Sequence, residues 1–159
     1  MMKRLWFGLI CIVFLVGLVA RGEGAPWNLI TPGQTHYGEV VTRLGHPTVR
    51  VTENRVLGDV TTVVHATWEG ADAPAGSQRV EMFFDVNDLL PLLIVVVPVS
   101  MSRTQVHRDY GAPDATETTA GEALVDRYHL LGLAVIYQPD GQTVRRLEFF
   151  EGVRGRYGR

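Results

Sequence analysis

The chain has 159 residues, a formal charge of −2, 46% apolar residues and 20% charged ones. That balance suits a globular protein rather than a disordered one and leaves no electrostatic footprint for nucleic acid. Its one cysteine, Cys11, lies in the apolar N-terminal segment, so disulfides, cysteine-ligated zinc and cysteine nucleophiles are excluded from the rest.

In chain order, Met1-Met2-Lys3-Arg4 precedes Leu5 to Ala20, a stretch without charge or proline. A short basic region followed by an apolar one is an export signal. At 1.5 Å per residue a helix of this stretch reaches about 24 Å, slightly short of a ~30 Å hydrocarbon core. It reads either as a cleaved signal peptide or as a retained anchor. Gly8-Leu9-Ile10 lacks the small residue that would make Cys11 a lipid acceptor. Arg21 to Trp27 reads as a flexible linker.

Thr31-Pro32-Gly33 opens an amphipathic helix near Thr35 to Leu44, stopped by Gly45 and Pro47. Strands follow at Val49 and Val51, at Val60 to Trp68, and at Arg79 to Val86, with Asp72 to Ser77 as a hairpin loop. The period of two puts Val64, Ala66, Trp68, Val80, Met82 and Phe84 on a covered face. It puts His65, Arg79, Glu81 and Phe83 on an open one. Leu89 to Val99 is too short to cross a bilayer and reads either as a buried crossover strand, with Pro98 blocking edge pairing, or as an exposed apolar patch for a partner or a membrane surface. Ser102 and Gln105 then have capping-box spacing before a second helix that stops at Gly111 and Pro113. Strands are expected at Glu122 to Leu130, Leu133 to Gln138 and Val144 to Phe150, with Pro139-Asp140-Gly141 as the last turn.

A gapless shift of 66 sets Gly45-His46-Pro47 on Gly111-Ala112-Pro113 and Phe83-Phe84-Asp85 on Phe149-Phe150-Glu151. The expected fold is therefore α+β. Two tandem units, each a short helix followed by an antiparallel three- to four-stranded sheet with helices on one face, come after an N-terminal apolar helix. The domains are residues 1–25 (signal peptide or anchor plus linker), 28–90 (first unit), 91–98 (apolar connector), 99–152 (second, diverged unit) and 153–159 (basic tail).

Gly33-Gln34-Thr35, Glu39-Val40, Leu44-Gly45-His46-Pro47 and Phe84-Asp85-Val86-Asn87 occur together in this order. This combination resembles the SmpA/OmlA (BamE-like) family of small bacterial envelope lipoproteins. The tandem arrangement is similar to that of the β-lactamase inhibitor protein. The resemblance spans Thr31 to Leu90 and, degraded, Val99 to Glu151. It implies a fold, a place in the cell envelope and protein partners, because the motif residues set caps, turns and core rather than chemistry. The chain departs from the family in lacking the lipobox cysteine, in one extra residue between Thr35 and Val40, and in Val99 where the second unit would carry the glycine.

Signals of chemistry are missing. His36, His46, His65, His107 and His129 show no metal-binding spacing, and Asp85-Val86-Asn87-Asp88 lacks the glycine and glutamate of a calcium loop. No serine sits in a Gly-x-Ser-x-Gly elbow and no glycine loop cradles phosphate. The expectation is a non-catalytic, extracytoplasmic protein-binding module of the bacterial envelope, without metal or cofactor, periplasmic and either soluble or tethered to the inner membrane. Its partner is another envelope or membrane protein, bound through His65, Arg79, Glu81 and Phe83, and the N-terminal segment contacts membrane if uncleaved. The alternative is an accessory subunit of an inner-membrane complex held by one N-terminal helix.

Overall fold

The computed structural model describes residues 25–121 and 123–151. Helix α1 (Tyr37–Leu44) leads into β1 (Val49–Leu57), β2 (Val60–Glu69), β3 (Ser77–Asp85) and β4 (Pro91–Pro98). Helix α2 (Arg103–Tyr110) leads into β5 (Ala115–Thr118), β6 (Leu124–Tyr128), β7 (Leu133–Tyr137) and β8 (Val144–Phe150). The apolar helix expected over residues 5–20 and the basic tail 153–159 lie outside the described residues. Among the described residues no helix is long and apolar enough to cross a membrane.

Two tandem units with separate sheets do not form. All eight strands join one antiparallel sheet, ordered β1-β2-β3-β4-β8-β7-β6-β5. The reason lies in the segment read as a connector. Strand β4 is aliphatic on both faces, which makes it a poor edge. It is instead the centre of the sheet, pairing with β3 on one side and with β8 on the other through Leu93↔Phe150 and Val96↔Leu147. Its prolines stand at its two ends, Pro91 and Pro98, rather than guarding an edge.

The helix-then-strands order recurs across the β4–β8 seam, but the gapless register does not. Helix α2 begins 66 residues after α1, at Arg103 against Tyr37, and both helices end on a glycine of positive φ, Gly45 (83°) and Gly111 (84°). Thr67 pairs with Val49 and Arg127 with Ala115, so the offset falls to 60 in the second strand. Glu81 pairs with Thr67 and Ala134 with Arg127, so it falls to 53 in the third. Phe84 therefore corresponds to Tyr137, and Phe149 to Val96. The expected match of Phe83-Phe84-Asp85 to Phe149-Phe150-Glu151 is overturned by shorter connections in the second half.

Both helices lie on the same face of the sheet. Val40 and Val106, one at the middle of each, share a core with Trp68, Met82, Phe84, Ile94, Val135 and Phe149. The caps follow local chemistry. The Gln105 backbone N–H donates to Ser102 Oγ (3.2 Å) and the Ser102 N–H to Gln105 Oε1 (2.7 Å), the reciprocal box its spacing predicts. At the C-termini a strand side chain closes each helix. The Trp68 indole donates to the Gly45 carbonyl and the Tyr128 hydroxyl to that of Gly111, both at 3.1 Å.

The segment before α1 is no loose linker where it is described. Trp27 and Ile30 exchange two backbone hydrogen bonds around Asn28 and Leu29, both at positive φ (50° and 64°). Ile30 and Ala25 are buried in the helix-side core, and Trp27 packs on it. Together with Met101 and Tyr110, Trp27 lines an apolar cleft of about 210 Å³ over Val96 and Leu147.

Candidate functional site

The face without helices carries the four residues singled out from the sequence, and the sheet register brings them together. His65 stands opposite Phe83 across the β2–β3 ladder, and Glu81 and Arg79 follow on the same face of β3. The His65 ring stacks on Phe83 with centroids 4.3 Å apart. Its Nε2 is 3.4 Å from Glu81 Oε2, and Arg79 Nε donates to Glu81 Oε1 at 2.8 Å. Two residues that the alternation did not single out complete the cluster. Glu53 Oε1 is 3.5 Å from His65 Nδ1, and the Arg55 guanidinium lies 4.1 Å from the Phe83 ring centroid.

Phe83 is consequently 0% exposed. An aromatic on a polar face needs either a partner or a cover, and here Arg55 and His65 of the same half supply the cover. Arg55 reaches it because alternation along β1 from Val51 and Glu53, which stand opposite His65 and Val63, turns it to the same face. The accessible part of this face lies beside the cluster, on the central strands. Leu93, Val95 and Val97 of β4 and Phe150 of β8 are half-buried, and the Arg146–Glu148 ion pair (2.7 Å) flanks them. Leu57 and Gly58, at the turn of the β1–β2 hairpin, meet Leu93 and Phe150 around a cleft of about 220 Å³.

A second polar cluster, not anticipated from the sequence, is buried on the helix side of the other half. Asp126 of β6 is 0% exposed. Its carboxylate accepts two hydrogen bonds from Arg103, at 3.1 and 3.0 Å. The Tyr137 hydroxyl donates at 2.8 Å and that of Thr116 at 2.6 Å, while His107 Nε2 is 2.9 Å away. Burial alone would raise the carboxyl pKa, but the hydrogen bonds from Thr116, His107, Tyr137 and Arg103 together hold it below the usual range. Burial, and then the bond to Asp126, push the Tyr137 hydroxyl well above its ordinary value. Arg103 and His107 are one helical turn apart, and Leu124, Asp126 and Tyr128 alternate along β6. That i, i+4 pair facing an acidic strand residue was the available signal.

What the two clusters can do chemically differs. Asp126 is saturated by donors and serves as an ionic clamp between α2, β5, β6 and β7. Among the described residues no group of three or more His, Cys, Asp or Glu side chains is placed to hold a metal ion. The helix-free face offers apolar surface bordered by ion pairs, which suits protein contact.

No family model matches the chain, and no characterised protein matches it in sequence. It is similar to the solved structure of a DUF4309 family protein (YjgB) from Bacillus subtilis subsp. subtilis str. 168. Identity is 12% and the TM-score 0.47, covering 77% of this chain and 82% of that one. Likeness at that level transfers neither fold nor activity.

Proposed function

We propose that this chain is a non-catalytic, extracytoplasmic protein-binding module of the bacterial cell envelope, and that it engages another envelope or membrane protein through its helix-free sheet face. One observation carries the reading. Both helices cover the same face of an eight-stranded sheet, while the central strands of the opposite face present half-buried Leu93, Val95, Val97 and Phe150. His65, Arg79 and Glu81 form one border of this strip, and Arg146 with Glu148 the other. An apolar centre with a charged rim is the usual anatomy of a protein interface. Phe83 acts here as support beneath Arg55 and His65. Export rests on the basic residues Lys3 and Arg4 followed by Leu5 to Ala20, and the SmpA/OmlA resemblance points to the same compartment.

The test is capture from mildly solubilised envelope membranes with the full chain as bait. Val95→Lys should abolish recovery of the bound protein, and Arg146→Glu, a rim change that spares the core, should weaken it. Recovery of the same protein by both variants, with unchanged thermal melting, would refute the reading. Retention of the uncharged stretch Leu5 to Ala20 would give a second reading, an accessory subunit tethered to an inner-membrane complex, although its length of about 24 Å favours cleavage. Intact mass separates the two, since a chain that still begins at Met1 is anchored and one that begins near Arg21 is not.

A further inference from the structure

The sheet has two edges, and they are built differently. At one, β5 is four residues long, Ala115–Thr118. At the other, β1 runs for nine, and all but Glu53 and Leu57 are exposed. Val49 and Val51 are each 45% exposed and lie on the helix-free side, opposite Thr67 and His65. Edge strands of this length are normally blunted, because their unpaired N–H and C=O groups template another strand. Strand β1 carries the charges of Arg50 and Glu53 and a register break after Asn54, but no proline and no cover among the described residues. Over Val49–Asn54 its register with β2 is regular, and among the described residues no strand pairs with its outer side.

We infer that Val49–Asn54 is a docking edge for an extended segment of a partner protein, added antiparallel as a ninth strand. Side chains on β1 define the chemistry of that segment. Apolar, β-branched residues fit opposite Val49 and Val51, a basic residue opposite Glu53, and an acidic residue opposite Arg50. A second copy of the chain fits poorly. Within the regular stretch, antiparallel self-pairing that keeps the two sheet faces aligned has four registers of three or more pairs. Centring on Arg50 or on Glu53 sets like charges against each other. Centring on Val51 or Thr52 sets Glu53 against a valine. None joins opposite charges, whereas a heterologous segment does so at two positions. This surface is the rim of the sheet rather than its centre, so it stands independently of the helix-free face as an interface.

The probe is the capped peptide Thr-Lys-Thr-Val-Glu-Val, which reads antiparallel against Asn54 to Val49, titrated into the isotope-labelled full chain. Saturable amide shifts confined to β1 and the adjoining residues of β2 are expected. The charge-reversed peptide Thr-Glu-Thr-Val-Lys-Val should bind about tenfold more weakly, as two cross-strand pairs turn from attractive to repulsive. Val51→Lys, at an exposed position that should leave melting unchanged, should remove the shifts. The inference is overturned by no saturable shift at millimolar peptide, by shifts centred elsewhere, or by equal affinity for the two peptides. It is equally overturned if sedimentation shows a dimer that Val51→Lys dissociates, since the edge would then belong to a second copy. Val95→Lys serves as the control that separates this edge from the sheet centre, and it should leave peptide binding intact.

Discussion

The two halves of the sheet solve the same packing problem with opposite chemistry. Under α1, Ala66 of β2 leaves room for Tyr37 to meet Phe84 edge-on at 5.1 Å, and the contact is apolar. At the corresponding positions under α2 stand Asp126, Arg103 and Tyr137, joined by charged hydrogen bonds. The caps repeat this contrast mildly, with Trp68 in one half and Tyr128 in the other serving the same carbonyl position. One backbone plan thus accepts either an aromatic plug or an ionic clamp. The difference is that a clamp can be broken by removing one atom group, whereas a plug can only be hollowed out.

Breaking the clamp should produce the largest effect. Asp126→Ala strands Arg103 and the Tyr137 hydroxyl in a site built for an anion, and about 3–5 kcal/mol of stability should be lost in urea unfolding. The loss should appear in hydrogen exchange first around α2 and β6. The same clamp sets a pH dependence. Because the folded carboxyl is held below its ordinary value, its stabilisation is complete above the unfolded pKa of 3.8 and disappears as pH falls through the lower, folded one. Acid unfolding of the wild type should therefore begin in the second half, and Asp126→Asn should flatten that limb of the stability–pH curve. An acid limb unchanged by Asp126→Asn would show that other carboxylates govern it.

A somewhat smaller effect is expected on the helix-free side. Phe83→Ala should cost about 3 kcal/mol, at the low end for a buried aromatic because Arg55 and His65 can settle into part of the space. If Phe83 instead served as a direct anchor for a partner, the variant would melt like the wild type and fail only in capture. Melting and capture measured on one preparation decide between them.

Much of this was legible in the sequence, for physical reasons that also mark where legibility ended. Helix α1 and strands β2, β3, β7 and β8 follow from periodicity and from Gly45, Pro47, Gly141 and their neighbours. The faces of β2 and β3 likewise follow from a period of two, which is why His65, Arg79, Glu81 and Phe83 do share one, whereas their pairing is visible only in the sheet register. Strand β5 could not be read, since Ala-Thr-Glu-Thr has no apolar alternation and depends on β6 for its form. The union of all strands into one sheet is a contact between β4 and β8, residues some fifty apart, and local patterning carries no trace of it. Glu53 and Arg55 escaped because only Val49 and Val51 marked this strand in the sequence, although alternation carried past Val51 sets both on the open face. Asp126 escaped because an acidic residue between Val125 and Arg127 reads as solvent-facing until α2 is laid over it.

The smallest effect sharpens the comparison furthest. Tyr128→Phe removes one hydrogen bond to the Gly111 carbonyl and should cost about 1 kcal/mol near neutrality. In alkali the two caps should part company. Burial pushes the Tyr128 hydroxyl up to about 12, above the ordinary 10, so its cap is complete below pH 10 and is lost as pH rises through the folded value. The Trp68 indole has no proton to lose in that range and keeps its bond to Gly45. Hydrogen exchange between pH 10 and 12 should therefore show the C-terminal turn of α2 opening while that of α1 stays closed. Tyr128→Phe should open α2 slightly at every pH and abolish the alkaline step at that turn. A step of equal size at both helix ends would mean that the two caps are set by the backbone alone, and that the contrast between the halves ends at Asp126.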